Sequence, residues 1–482
     1  MLSFLVPERR SCPERLACLR SHTRSEDIIK LTVVGGGGFR VPQIFQALSA
    51  ADAAIRVTEL CLQDVSPDRL AVTSAVLGQL APSLARPPRV TTTTDLTAAL
   101  TGADVVFSTI RVGGTRGRVS DEHVALRHGV LGQETVGAGG LAYALRTVPH
   151  AQRLARRVAE VAPQAWVINF TNPAGIITEA MREVLGNRVV SICDTPIGLM
   201  RRVASAVGHA PSEVSFDYVG LNHLGWLRTL EVDGVDLLPG LLADDARLDG
   251  IEEARVLGFD WVRALGMLPN EYLFYYDHHR EALARLQQSE ATRGQYLDAQ
   301  QGAFYAAASA DPAHALEAWE AARHERESSY MEEARPAEER FERRAEDVAG
   351  GGYQQVALEL MTGLTTGQAG TMILGVGNDA RGPAEPLLVP QLPASAVVEV
   401  PCSVDRDGVH PHAVAPVTGG MAGLMTSVKA AEQLLLQALA EGSRELAWRA
   451  FAAHPLVDSV TVARELVDAY CAATPEVAAA LR

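Results

Sequence analysis

The chain has little that would tie it to a secreted, membrane-bound or nucleic-acid-binding role. Its six cysteines, Cys12, Cys18, Cys61, Cys193, Cys402 and Cys471, form no paired framework. A disulfide scaffold is therefore not expected, and a reducing cytoplasm fits best. No apolar run approaches the roughly 18 to 20 residues of a membrane span, so a soluble protein is expected. Positive charge is also short: 43 basic against 58 acidic residues leave a net charge of −15. That balance argues against a nucleic-acid surface or a face for anionic lipid, and any anionic ligand must find local arginines. Met1 to Asp27 carries arginines and two cysteines but no apolar core of a secretory signal. It reads as a poorly ordered or misassigned extension. Internal repeats and low-complexity linkers are missing as well.

What is present is enough for a large core. Of 482 residues, 47% are apolar and 21% charged, which implies two or three lobes. Ile28 to Gly38 is a buried-strand pattern running into glycines, followed by a helix-compatible stretch from Val41 to Ser49. Val57 to Leu62 is a second strand that ends near Asp64. Asp95 to Leu100 is weakly helical, and Ala103 to Ile110 is a third strand. Then come a helix at Leu141 to Val161, a strand at Trp166 to Phe170, a helix at Ala174 to Leu185 and a strand at Arg188 to Ile192. This alternation predicts an α/β fold, a Rossmann-like, doubly wound parallel sheet over residues 28–210, with ligands beyond the strands' carboxyl ends.

From there to residue 482 the pattern predicts a second, α+β lobe. Ser215 to Leu221 and Leu227 to Val232 flank Asn222-His223-Leu224-Gly225 as an antiparallel excursion. Glu252 to Asp347 is mostly helical, with the charge-dense part from His324 to Asp347 expected as a solvated helix and turn. Gly350 to Gly352 marks a break, Val397 to Val404 a strand, and Gly420 to Ala473 is helical. Without a linker between them, the lobes are expected to interleave.

Gly35 to Gly38 directly after a strand allow a tight turn and close approach of backbone to a pyrophosphate at the next helix N-terminus. The usual third glycine of that fingerprint is replaced by Arg40. Asp64 is placed to take ribose hydroxyls, which favours NAD over NADP. Arg111-Val112-Gly113-Gly114, Gly132-Gln133-Glu134-Thr135 and Gly137-Ala138-Gly139-Gly140 suit an anionic or hydroxyl-rich ligand. Asn169 and Asn172 bring two amides to a strand end. Cys193 and Asp194 at another strand end, with His223 on the excursion, suggest an open divalent metal site. Softness favours zinc, but the ligand chemistry does not by itself name the metal. Tyr272, Tyr275 and Tyr276 are packing aromatics unless a nearby cation lowers one of them toward a general base. Arg280 and Arg293 are cations that could clamp a phosphate, whereas His278-His279 reads as surface.

Together these residues resemble the NAD- and divalent-metal-dependent glycoside hydrolases of family 4, the 6-phospho-glycosidases. The resemblance runs from about Lys30 to near residue 475. It rests on GGGG after the first strand, IRVGG, GVLGQETVGAGG, INFTNPAG, ICDTPIG, GLNHLGW, LPNEYLFYY, VVEVPCSVD and AAHPLVDS. It implies a fold like that of lactate and malate dehydrogenases and a homodimer or homotetramer. It also implies a reaction with NAD+ and Mn2+: transient oxidation at sugar C3, loss of the C2 proton, elimination at C1, water addition and re-reduction. Carried onto this chain, it makes Cys193 and His223 the metal ligands and Tyr272 the base. Arg111 and Asn172 become substrate contacts, Arg293 a phosphate contact, and Arg127 a cation that raises the tyrosine's reactivity.

Asp194 departs from the pattern. The residue after the metal cysteine is usually Asn in the 6-phospho-β-glucosidases and Asp, as general acid, in the 6-phospho-α-glucosidases. The remaining motifs look closer to the β type, so 6-phospho-β-glucosides are the expected substrates and the α reading stays open. A malate- or lactate-type dehydrogenase would share the glycine turn and Asp64 but not need Cys193 with His223. An NAD-bound sugar-phosphate sensor would not need Tyr272 as a base.

Overall fold

In a computed structural model of the chain, the described residues are 29–331, 334, 344, 352–368 and 370–482. The extension 1–27, most of the charge-dense stretch beyond residue 331, and Gly350 and Gly351 of the expected break lie outside them.

The first half forms strands β1 (Ile29–Val34), β2 (Val57–Gln63), β3 (Arg89–Thr93), β4 (Val105–Ser108), β5 (Trp166–Asn169) and β6 (Val189–Ser191). They pair in parallel in the order β6-β5-β4-β1-β2-β3. This is the Rossmann order, and the chain's direction of travel across the sheet reverses between β1 and β4, where such sheets bind their ligands. The edge strand β3 escapes a sequence reading because it is threonine-rich and none of its residues is buried. The helix Gly114–Arg127 was not expected either. It starts from a glycine, Gly113 at φ 81°, rather than from a recognisable polar cap.

The second half adds β7 (Ser215–Leu221), β8 (Leu224–Val232), β9 (Val235–Asp236), β10 (Leu268–Pro269), β11 (Met372–Gly377), β12 (Val397–Asp405) and β13 (Gly408–Pro411). These strands extend the same sheet instead of building a second one. β11 pairs antiparallel with β6 through Gly375 and Ser191, and β12, β7, β8 and β10 follow outward. A side chain at residue 375 would collide with the Ser191 side chain, so this glycine permits the junction. β8 begins at Leu224, directly after the turn, so Asn222-His223 alone connects β7 to β8.

The chain's end returns to its beginning. Helices Gly419–Glu441 and Val460–Ala473 pack on the helix Gly137–Val161, and the helix Arg444–Ala453 packs against both of them. Leu141, Leu145 and Val148 share one apolar cluster with Leu435, Phe451, Leu466 and Tyr470. Each such side chain contributes about 1.5–3 kcal/mol when fully buried. The two lobes are thus interleaved through a common core. No helix among the described residues is long and apolar enough to cross a membrane.

Candidate active site

A cavity of about 470 Å3 lies beyond the carboxyl ends of β4, β5 and β6 and is closed by the second lobe. Gly38, Arg111, Asn172, Cys193, Asp194, His223, Tyr272 and Arg293 all line it. Gly35, Gly36, Gly37 and Asp64 form the turn just behind Gly38. The Gly35 and Gly36 N–H groups donate to the Gln63 carbonyl at 2.9 and 2.7 Å. Asp64 accepts from Gly37 N–H at 3.0 Å and from Ser66 N–H at 3.0 Å. Gly35 has φ +94°, and a Cβ there would stand 2.5 Å from the Thr109 carbonyl oxygen. Only glycine fits this conformation.

Three side chains of the second lobe donate to carbonyls of the same loop. They are Tyr305 to Gly37 at 2.7 Å, Trp319 to Phe39 at 2.8 Å and Tyr353 to Arg40 at 2.7 Å. Arg40 precedes the helix Val41–Leu48, and its guanidinium lies over the Phe170 and Tyr353 rings. A cation at a helix N-terminus opposes the helix dipole unless an anion sits between them. The loop, the helix end and Arg40 together therefore suit a pyrophosphate.

Across the cavity, Cys193 lies two residues beyond β6 and takes the N-cap position of the helix Asp194–Ala206 without a side-chain cap bond. Asn222 and His223 form the tight β7–β8 turn, in which His223 takes the left-handed φ of 62°. That conformation costs an L-residue roughly 1–2 kcal/mol. Asn222 holds the turn by accepting from Ala174 N–H at 3.2 Å and donating to Glu399 at 2.9 Å. The His223 ring stacks on Tyr272, with centroids 3.8 Å apart and planes 5° apart. Thr195 donates to Glu271 at 3.0 Å, which ties the Cys-Asp-Thr run to the Asn-Glu-Tyr run. The Tyr272 and Tyr330 hydroxyls are 3.1 Å apart.

Burial holds the ionisable groups of this cluster in their neutral forms. Burial, reinforced by Glu399 and Asp194, pushes the Cys193 thiol well up. Burial and then the Glu271 charge push the Tyr272 phenol up. Burial lowers His223 to about 4, so its ring is neutral at pH 7 and keeps a lone pair. A divalent ion between them would reverse the first two shifts. Among the described residues, buried Glu271 Oε2 and Glu399 Oε2 find no hydrogen-bond partner. Among the described residues no group of three or more His, Cys, Asp or Glu could hold a metal. A cation held by Cys193 and His223 would thus keep positions open for other oxygens.

The arginines sort differently from the sequence expectation. Arg111 and Arg118 both pair with Glu134, the latter at 2.6 Å. Burial opposes ionisation of Glu134, but these two cations outweigh it and hold its carboxyl below the usual range. Arg293 starts the helix Arg293–Ala310 and donates to Ser329 Oγ at 2.8 Å and to the Arg326 carbonyl at 3.1 Å. Arg326 itself lines the cavity. Burial, together with the charges of Arg40, Arg293 and Arg111, depresses its pKa, which marks a site short of anions. Arg127, in contrast, is exposed at the last turn of its helix and is not among the cavity-lining residues. The cations that line Tyr272's cavity include Arg40, Arg111, Arg118, Arg293 and Arg326.

A model of the family 4 glycosyl hydrolases matches residues 30–209, and a model of that family's C-terminal domain matches residues 218–457. The chain belongs to the family 4 glycosyl hydrolases. It is similar to a probable 6-phospho-beta-glucosidase of Bacillus subtilis (strain 168), at 27% identity over 91% of this chain and 95% of that one. It is equally similar to a 6-phospho-alpha-glucosidase of Lacticaseibacillus paracasei, at 28% identity over 90% and 95% of the two chains. Among solved structures, a 6-phospho-alpha-glucosidase from gut microorganisms in complex with NAD and glucose 6-phosphate superposes with a TM-score of 0.76 at 25% identity. It covers 93% of this chain and 98% of that one.

Several residues of this glycosidase's cavity gave no signal in the sequence. Arg326 and Tyr330 belong to the charge-dense stretch expected to be solvated, yet the helix Ala315–Ser328 and the turn after it bring both into the cavity. Arg40 was noticed only as a missing glycine. Glu399, which does not line the cavity but accepts from Asn222 beside it, is buried in a strand among apolar residues, a placement for a carboxylate that was itself a usable cue.

Proposed function

We propose that this glycosidase hydrolyses 6-phospho-β-glucosides to glucose 6-phosphate and an aglycone, with NAD+ and Mn2+ as cofactors. The observation that carries the reading is that one cavity gathers Cys193, Asp194, His223 and Tyr272 with Arg111, Asn172 and Arg293. The relatives named for 6-phospho-glucosides, and the solved neighbour with NAD and glucose 6-phosphate, support a 6-phospho-glucoside as substrate and NAD as cofactor, while the β linkage rests on the motifs closer to the β type.

Gly35 to Gly38 and Asp64 would hold NAD+, and Cys193 with His223 would hold Mn2+. When bound, these groups supply a reversible hydride acceptor at C3 and a Lewis acid beside C2. The chain's own residues do the rest. Tyr272 takes the C2 proton, Asn172 orients sugar hydroxyls, and Arg111, Arg293 and Arg326 neutralise the 6-phosphate. We include in the proposal a cytoplasmic homodimer or homotetramer and a boundary between cofactor and substrate lobes near residue 210.

A second reading rests on Asp194. Its carboxyl lines the cavity next to Cys193, where it could protonate the leaving oxygen of a 6-phospho-α-glucoside. Purified protein with NAD+, Mn2+ and reductant, given p-nitrophenyl 6-phospho-α- and β-glucosides and their unphosphorylated analogues, separates the two. Release should need phosphate, metal and catalytic NAD+, and solvent deuterium should appear at C2 of the product. Metal-independent turnover or retention of the C2 proton would overturn the mechanism, and faster α turnover would overturn the β assignment.

A further inference from the structure

The Gly132-Gln133-Glu134-Thr135 run touches His223, and the contact bears on which ring nitrogen is free. A neutral imidazole has one N–H and one lone pair, and only the nitrogen with the lone pair can bind a cation. His223 Nδ1 lies 2.7 Å from Thr135 Oγ1, and a hydroxyl can either donate or accept. The next bond removes that ambiguity. The Gln133 side-chain oxygen receives the Thr135 N–H at 2.6 Å and the Val136 N–H at 3.0 Å. Two N–H donors can meet only the amide oxygen, which fixes the orientation of the Gln133 amide. The same oxygen lies 2.9 Å from Thr135 Oγ1. An amide oxygen carries no proton, so the hydroxyl proton of Thr135 points to Gln133. Thr135 Oγ1 is then left only as an acceptor, and His223 Nδ1 must carry the hydrogen.

We propose that Gln133 and Thr135 are positioning residues that hold His223 as its Nδ1–H tautomer and so leave Nε2 bare for a divalent cation. The stack on Tyr272 and the left-handed turn keep the ring from swinging to another partner. Outer contacts of this kind orient metal-bound histidines, and losing one typically costs ten- to a hundredfold in metal affinity. The proposal rests on the reading that His223 binds the metal.

The test is 15N NMR of the metal-free protein labelled at histidine, with His223 assigned by His223→Ala, together with Mn2+ binding followed by the EPR signal of the free ion. The wild type should show a protonated Nδ1 and a bare Nε2. Thr135→Val and Gln133→Leu should move His223 toward the Nε2–H form and weaken Mn2+ binding ten- to a hundredfold, while Thr135→Ser keeps both wild-type properties. A wild-type Nε2–H signal overturns the proposal, and so does wild-type Mn2+ affinity in Thr135→Val. Should a variant fail to fold, the wild-type spectrum alone decides. Unchanged Mn2+ affinity in His223→Ala would instead overturn the metal assignment, whatever the tautomer.

Discussion

The two sides of the cavity are built by different means. At the glycine turn on the sheet side, the site is backbone. Gly35 to Gly38 leave no room for side chains behind them; their N–H groups and carbonyls are held by Gln63, Asp64 and Tyr305, and Trp319 holds the next carbonyl, that of Phe39. On the opposite side, the site is side chain. His223 comes from a hairpin turn, Tyr272 from the segment after β10, and Arg293 and Arg326 from two successive helices. The backbone side works by shape and needs only that the chain pass close by. The side-chain side works by charge and proton affinity, and it needs residues from four separate stretches to meet. Substitutions should therefore fail differently on the two sides, by lost cofactor fit on one and by lost chemistry on the other.

Tyr272→Phe is the most severe break of this contrast. Phenylalanine keeps the ring that stacks on His223 and loses only the hydroxyl that meets Tyr330. Removing a general base should lower kcat by about 10²- to 10⁴-fold. NAD+ affinity, read by equilibrium titration, should stay at the wild-type value because the glycine turn is untouched. A parallel loss of NAD+ binding would show that the two sides are not independent.

The same contrast explains what the sequence could show. The glycine turn was legible because its parts are consecutive and each glycine has a local reason. The strand order around it follows from simple alternation of strands and helices. Cys193 and His223 were legible because both end or join strands, which fixes their place before any packing is known. Arg326 and Tyr330 were not. A charge-dense helix usually faces water, and the packing of Trp319 and Phe304 on Phe39 helps turn this one toward the cavity. Arg127 failed for the complementary reason: a position matched by motif lies at a helix end, and the helix carries its side chain outward. The continuation of the sheet past β6 was equally hidden, since antiparallel pairing across Gly375 leaves no periodic trace.

Arg326→Met sharpens the comparison with a smaller effect. A hydrogen bond to a charged group is worth about 1.5–3 kcal/mol, which corresponds to roughly ten- to a hundredfold in kcat/KM for phosphorylated substrates. Competitive inhibition by an unphosphorylated analogue, which does not need the phosphate contact, should change little. The unfolding midpoint should hold or rise, because an arginine crowded by Arg40, Arg293 and Arg111 is removed from the cavity. If binding of the unphosphorylated analogue fell by the same factor, Arg326 would be serving structure and not the phosphate.

Gly36→Ala probes the backbone side, where stability and fit cannot be separated. The new Cβ would stand 2.7 Å from Leu62 Cβ and 2.8 Å from Gln63 N. Neither can yield freely, since Gln63 accepts both the Gly35 and the Gly36 N–H and leads directly into Asp64. The end of β2 must move outward, and Asp64 with it. Overpacking of this kind costs about 1–3 kcal/mol, visible as a lower urea midpoint at unchanged m. NAD+ should then restore less of the midpoint than it does for the wild type, because the displaced Asp64 weakens the binding that supplies the rescue. A variant that lost stability yet was rescued by NAD+ to the wild-type extent would show that the turn can shift without moving Asp64. The sheet side would then owe its fit to more than backbone.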